Sequence, residues 1–334
     1  MDSADVLALI DELPGHRVAV IGDAIADEFV YGRVARVSRE APVLILEYDS
    51  TEVVPGGAGN AANNVAAMGG SALLAAVIGR DEPARRLLKS LHRRVNPRTV
   101  IRTPRRGTTI KTRILAGGIH SAKQQVVRID RVAKGTIDKP TRDAFFRAAL
   151  SAATRADAVL VSDYGGGLVS PAVVSRLRRE LKGAGHVVPI LVDSRYRLLN
   201  YNGLTACTPN ESEVEQALGI RINDDARVLE RAGRQILEQT KMQAVLITRG
   251  SRGMALFVPR EPTVHIPIFG SDEIADVTGA GDTVMATMAL ALAAGATFEL
   301  AARLANYAGG LVVMKRGTAT VSAGELRKAV KREA

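Results

Sequence analysis

Short apolar runs that close on glycine or a polar residue recur along the chain: RVAVIGD (17–23), ALLAAVIG (72–79), AVLVSD (158–163), VPILVDS (188–194) and AVLITRG (244–250). None alternates apolar with polar, so each reads as a strand buried on both faces. The stretches near 82–93, 140–153, 170–183, 210–218 and 224–239 have helical patterning. A strand buried on both faces needs cover on both, and crossover helices supply it. The alternation therefore predicts an α/β fold, a mainly parallel doubly wound sheet with helices on both faces. Ligands of such sheets bind beyond the carboxyl ends of the strands, where these glycines and aspartates fall. From Gly279 onward the pattern is helical, over 279–294, 298–314 and 322–332.

Two stretches break the rhythm. Residues 29–54 and 98–130 show two-residue alternation with no helix between. They predict a small antiparallel sheet beside the main one, placed as a lid. There is no repeat, low-complexity tract or linker, so residues 1–334 are expected to form one domain carrying that insert.

Composition narrows the function. Of 334 residues 46% are hydrophobic, which excludes a disordered chain, and only 4% are aromatic, with no Trp, which disfavours a base-stacking nucleic-acid surface. One cysteine, Cys207, excludes a disulfide framework, and five histidines lack metal-ligand spacing. The N-terminal segment carries acids where a signal peptide needs bases, and no apolar run reaches about 18 residues, so a cytoplasmic protein with no membrane partner is expected. The net charge of +10 is concentrated: between Arg80 and Lys139 there are 17 Lys or Arg against 4 Asp or Glu, a local +13. That surplus is a solvated face, a nucleic-acid surface or a trap for an anionic small substrate.

The strongest motif is DVTGAGDT at 276–283, a two-glycine loop entering an Ala-rich helix. Free amides at a helix start form an anion site, and Gly279 and Gly281 let a phosphate approach the backbone. Asp282 is then either an N-terminal cap or a base facing that phosphate. A carboxylate at a helix N-terminus is expected to be ionised at neutral pH. PGGAGNAANNVAAMGG at 55–70 contains G-x-G-x-x-A (Gly57, Gly59, Ala62), but it does not follow the first buried strand, as a dinucleotide fingerprint must. Asn60 and Asn64 share one helix face and suit hydroxyl groups, which points to a polyol pocket, with helix capping as the alternative. In TPNESE (208–213), Asn210 and Glu213 fit an N-terminal capping pattern. No G-x-x-x-x-G-K-[ST] sequence occurs.

In this order, GGAGNAANN, TPNESE and DVTGAGD resemble the ribokinase-like (PfkB-type) carbohydrate kinases, from residue 17 to about 330. With IKTRILA, QQVVRID and VSDYGGG added, the likeness narrows to the kinase domain of bacterial heptose 7-phosphate kinases. That resemblance implies transfer of the ATP γ-phosphate to the anomeric hydroxyl of a heptose 7-phosphate. Such kinases are often fused to a nucleotidyltransferase domain, which is not expected past the last helix here. Asp282 would be the base, with Gly279, Ala280 and Gly281 forming the anion hole. Asp27, Gly57, Asn60 and Asn64 would hold sugar hydroxyls. Asn210 and Glu213 would organise Mg²⁺ and the nucleotide phosphates, Glu213 through water, while Thr248, Gly250 and Asn306 border the nucleotide. Asp276 matches a position linked to a monovalent cation such as K⁺, and the lid is implied to mediate a homodimer. Lys111, Arg113 and Arg128, on the expected lid strands, are candidates for the acceptor's phosphate, or else charges guarding a sheet edge. The chain departs from the group at Gly166 and Arg195, where lysines are usual, and a kinase of another sugar or sugar phosphate is the alternative. A nucleic-acid binder using residues 80–139 is the alternative from a different class.

Overall fold

The computed structural model describes residues 3–117, 123–133, 135, 137–270 and 276–333. The chain opens with α1 (Ser3–Glu12) and β1 (Arg17–Gly22). It then leaves the main layer through β2 (Ala24–Val37) and β3 (Leu44–Gly57), and returns through α2 (Ala58–Ala67). β4 (Ser71–Ala75), β5 (Val77–Gly79), α3 (Glu82–Lys89), β6 (Val95–Asn96) and β7 (Ile101–Thr103) follow. A second excursion makes β8 (Thr109–Gly117) and β9 (Gln124–Arg131). The alternating part comprises α4 (Lys139–Ala153), β10 (Ala158–Asp163), α5 (Pro171–Gly183), β11 (Ile190–Ser194), β12 (Ala206–Cys207) and α6 (Glu211–Leu218). α7 (Ala226–Thr240), β13 (Ala244–Thr248), β14 (Met254–Phe257) and β15 (Val264–Ile266) complete it. α8 (Ala280–Ala293), α9 (Phe298–Val313) and α10 (Ala323–Glu333) close the described chain.

Among the described residues nine strands form the main sheet in the order β15-β14-β13-β12-β11-β10-β1-β4-β6, parallel from β13 to β6 and antiparallel at the β14 and β15 edge. The apolar runs sit where their composition predicts, between two cores. Val18 and Val20 of β1 face the core built with α2, α8 and α9, while Ala19 and Ile21 face the one built with α4, α5 and α7. Strand order reverses between β1 and β10, so the crevice beyond their carboxyl ends is the topological switch point.

The lid is a four-stranded sheet, β3-β2-β8-β9. It differs from the expectation in two ways. Its central pair, β2 and β8, is parallel rather than antiparallel. It also begins at Ala24, and residues 98–108 are outside it: β7 pairs with β5 in a separate two-stranded piece. Pro97 and Pro104 lack the amide a ladder needs, which ends pairing on either side of β7. The expected strand 72–79 breaks at Ala76, whose carbonyl accepts from the Ile101 amide. Residues 118–122 of the expected lid segment lie outside the described residues. On one lid face the register sets Asp27, Lys111 and Asp130 abreast, with Phe29, Arg113 and Arg128 in the next row.

Candidate active site

Helix starts separate scaffold from site. Asp81, Asp138, Ser170, Asn210, Asp225 and Thr297 cap α3, α4, α5, α6, α7 and α9 with side-chain oxygens. α2 and α8 begin instead at Gly57 and Gly279, with no side-chain cap. Capping oxygens would occupy the amides that an anion needs; the α8 start lines the crevice, whereas the α2 start is buried, with the Ala58 amide donating to the Asp23 carbonyl. Gly279 is required twice over. Its φ of 79° is left-handed, and a Cβ there would lie 2.5 Å from the Asn60 side chain.

A cleft of about 640 Å³ runs from the α8 start to the lid. Gly279, Ala280, Gly281 and Asp282 line its centre, and Asn210, Glu213, Thr248, Gly250 and Asn306 line one end. Lys111, Arg113 and Arg128 line the lid end. Asp282 is buried, and both its oxygens accept hydrogen bonds. Asn60 Nδ2 donates to Oδ2 at 3.0 Å, and the Tyr164 hydroxyl donates to Oδ1 at 3.0 Å. Burial pushes the Asp282 carboxyl up to about 7 against these two bonds, and the Asp27 charge adds to the rise. This corrects the expectation of a fully ionised group: desolvation outweighs the helix end.

The polyol residues stand behind the cleft rather than in it. Asn64 is fully buried, donating to Asn60 Oδ1 and to the Asn60 carbonyl, each at 3.1 Å, and accepting from the Val321 amide. It therefore holds Asn60, and Asn60 holds Asp282. Gly57 admits the Asp23 carbonyl and the Tyr164 ring, which a Cβ would meet at 2.5 and 3.3 Å. Asp27 is buried in an ion pair with Arg113 at 2.8 Å and accepts from the Thr318 hydroxyl at 3.1 Å. Asp276 accepts from the Thr278 and Gly317 amides, at 2.9 and 3.0 Å, and fixes the loop before α8.

At the opposite end, Asn210 and Glu213 form a complete capping box. Glu213 also faces Asp193 at the end of β11. Burial raises both carboxyls, and the Glu213 charge further raises Asp193. Thr248 bridges to Asn210, and Asn306 donates to the Pro267 carbonyl at 2.8 Å.

Sequence reading assigned no role to Tyr164, Asp193 or Asp23. All three lie at or just beyond carboxyl ends of main-sheet strands, and that position was the available signal. Asp23 Oδ2 accepts from the Tyr164 and Gly166 amides, each at 3.0 Å. A Cβ at Gly166 would lie 2.5 Å from the Asp23 carboxylate, so this chain has no room there for a longer residue.

Beside Tyr164 lies a recess of about 180 Å³ whose lining includes Arg106, Lys111, Arg128 and Arg195 together with Asp23 and Asp130. Arg128 is held bidentately by Asp130 at 2.6 and 2.7 Å. Among the described residues Arg106, Lys111 and Arg195 make no ion pair with a carboxylate. Burial lowers the Lys111 ammonium, which sits 4.7 Å from the centre of the Tyr164 ring. Part of the remaining charge of residues 80–139 is paired within the protein: Arg86 and Arg131 with Glu28, Arg105 with Asp138, Lys123 with Asp49. Among the described residues Arg80, Arg85, Lys89, Arg93, Arg94, Arg98 and Arg102 are exposed and make no ion pair, the pattern of a solvated face.

Known proteins agree with this architecture. The sequence model of the family described as pfkB family carbohydrate kinase matches residues 16–323. The bifunctional protein HldE of Caulobacter vibrioides is 42% identical over 315 residues, covering 93% of this chain and 63% of that protein. The bifunctional protein HldE of Geobacter metallireducens is 40% identical over 331 residues, covering 98% and 65%. The chain thus spans less than two thirds of these relatives. Arabidopsis thaliana ribokinase, solved with ribose and ATP, superposes with a TM-score of 0.70 at 19% identity, covering 95% of this chain and 98% of that one. Escherichia coli phosphofructokinase-2, solved with potassium, gives 0.72 at 16% identity with the same coverages. Among the described residues no helix is long and apolar enough to cross a membrane.

Proposed function

Because the chain belongs to the pfkB family of carbohydrate kinases, we propose that it phosphorylates a sugar that already carries a phosphate, the anomeric hydroxyl of a heptose 7-phosphate being the acceptor. The observation that carries this reading is the pairing of two unlike compartments across Tyr164. One is the cleft with the Asp282 carboxylate and the open α8 start; the other is the recess where Arg106, Lys111 and Arg195 make no ion pair with a carboxylate among the described residues. A phosphate in that recess would set the far end of the sugar toward Asp282.

In the transfer, the acceptor O–H proton passes to Asp282 as the oxygen forms its bond to the γ-phosphorus, and the bond from phosphorus to the departing ADP oxygen breaks. The Gly279–Gly281 amides would take the charge of the moving phosphoryl group. Mg²⁺ would neutralise the nucleotide phosphates. Asp193 and Glu213 fit it, being two carboxylates that burial raises, the Glu213 charge raising Asp193 further, and Mg²⁺ in such sites takes one or two carboxylates plus phosphate oxygens. A monovalent cation at Asp276 would share that carboxylate with the Thr278 and Gly317 amides.

The cations expected to hold the acceptor phosphate shift accordingly. Arg113 is spent on Asp27, whereas Arg195, in place of the usual lysine, lies over the Tyr196 ring and makes no ion pair among the described residues. Truncating Arg195 to Ala is expected to lower kcat/KM for the sugar phosphate by roughly 10- to 150-fold, the worth of a charge-assisted contact. The KM for ATP and residual turnover of the unphosphorylated sugar should stay as they were. Equal losses on both acceptors, measured by coupled ADP release, would remove the recess from the reading.

A further inference from the structure

We propose that Tyr164 is a positioning residue for the transfer step, its hydroxyl fixing the orientation of the Asp282 carboxylate and supporting its ionised form. The inference rests on Asp282 being the base. Asp282 meets two side-chain donors from different elements, Asn60 of α2 on Oδ2 and Tyr164 of the β10 loop on Oδ1. A carboxylate gripped on one oxygen can still swing about its Cβ–Cγ bond, and one gripped on both cannot. Asn60 is itself locked by Asn64, so the second grip depends on Tyr164.

The ring is built to deliver that hydroxyl. Asp23 Oδ2 anchors the Tyr164 amide, the Lys111 ammonium lies over one face, and the Gly57 backbone leaves space that a Cβ would crowd at 3.3 Å from Cε2. Burial and the neighbouring Asp282, Asp193 and Asp27 charges raise the Tyr164 phenol well above its ordinary value. It therefore stays protonated and donates throughout the working pH range, and does not compete for the acceptor's proton.

Four further charges bear on Asp282 or on its neighbour: Asp27 from β2, Lys111 from β8, Asp193 from β11, and Glu213 from α6 acting on Asp193. Of these, Lys111 favours the anion and Asp27 opposes it. Removing the Tyr164 hydroxyl leaves them in place, so the change reads that one hydrogen bond.

The test is an NMR titration of the full chain labelled with ¹³C at aspartate Cγ, with Asp282 assigned by its loss in Asp282→Asn. It requires no substrate. Tyr164→Phe is expected to move the Asp282 midpoint up by about one to two pH units, the worth of a hydrogen bond to a charged group. The acid limb of kcat, measured with ATP and heptose 7-phosphate, should move with it, and the plateau should fall up to about 100-fold from lost orientation. A merely structural tyrosine would lower the melting temperature and leave the midpoint unmoved, which overturns the proposal. If Tyr164→Phe does not fold, 3-fluorotyrosine at 164, a stronger donor, should move the midpoint down, and an unmoved midpoint overturns it equally. Full turnover in Asp282→Asn would instead remove the base reading, whatever the tyrosine does.

Discussion

Asp282 carries a cost to the fold that its local sequence does not advertise. Its unfolded carboxyl ionises near 3.8, whereas the folded one is pushed up to about 7 by burial. Between those values the unfolded chain releases a proton that the fold retains, so the contribution of Asp282 to stability is full below pH 4 and is lost as pH rises through 7. Asp282→Asn has no such loss. It is expected to melt at a higher temperature than wild type at pH 8, with the gap shrinking at pH 5; a lower melting temperature at pH 8 would mean that the burial is relieved. Arg113 behaves oppositely. Its guanidinium and Asp27 are both buried, and it packs 5.3 Å from the Phe29 ring centre. Arg113→Ala leaves an unpaired buried carboxylate, which costs about 3–5 kcal/mol. Denaturant melts should register that loss before any acceptor selectivity changes. Spacing marked Arg113 as a cation on the lid but could not say that it is already matched, because its partner comes from a strand 86 residues away.

At the level of elements, what was legible is what is local. Buried strands, capped helices and the DVTGAGDT start need only neighbours in sequence, and they stand where their patterns put them except at Ala76, where the expected strand 72–79 divides between two sheets. The parallel pairing of β2 with β8 is a choice of direction between strands far apart in sequence, and alternation looks alike in either direction. Tyr164, Asp193 and Asp23 carried only a positional signal: a polar residue after a buried strand becomes part of a site only when the sheet order brings its strand near the switch point. Glu213 shows where two roles overlap. One of its oxygens completes the α6 capping box while the group faces Asp193. Glu213→Gln keeps an acceptor for the cap, so the melting temperature is expected to hold while the Mg²⁺ concentration for half-maximal rate rises. A fall in melting temperature with an unchanged Mg²⁺ response would leave Glu213 as a cap alone.

For the whole molecule, the lid has two faces with different uses. Lys111, Arg113 and Arg128 point to the cleft, while Val127 and Ile129, half a period away, are exposed on β9 with Val126 beside them. Exposed β-branched residues on a sheet face suit a second lid, and we propose a homodimer formed there. Val127→Glu is expected to halve the mass seen by light scattering without lowering the melting temperature, and a wild type that is monomeric at assay concentration would contradict this. The charge concentrated in residues 80–139 divides at this scale into ion pairs within the protein, an exposed set on and after α3, and the cations that line one recess. The central claim is that these cations and Asp282 act on one acceptor. It is tested most directly by initial rates of ADP release for wild type and Asp282→Asn, with heptose and heptose 7-phosphate as paired acceptors. Wild type should strongly favour the phosphorylated acceptor, and Asp282→Asn should lose about 10²–10⁴ of that rate. Preference for the unphosphorylated sugar, or more than about a tenth of the rate surviving in Asp282→Asn, would contradict it.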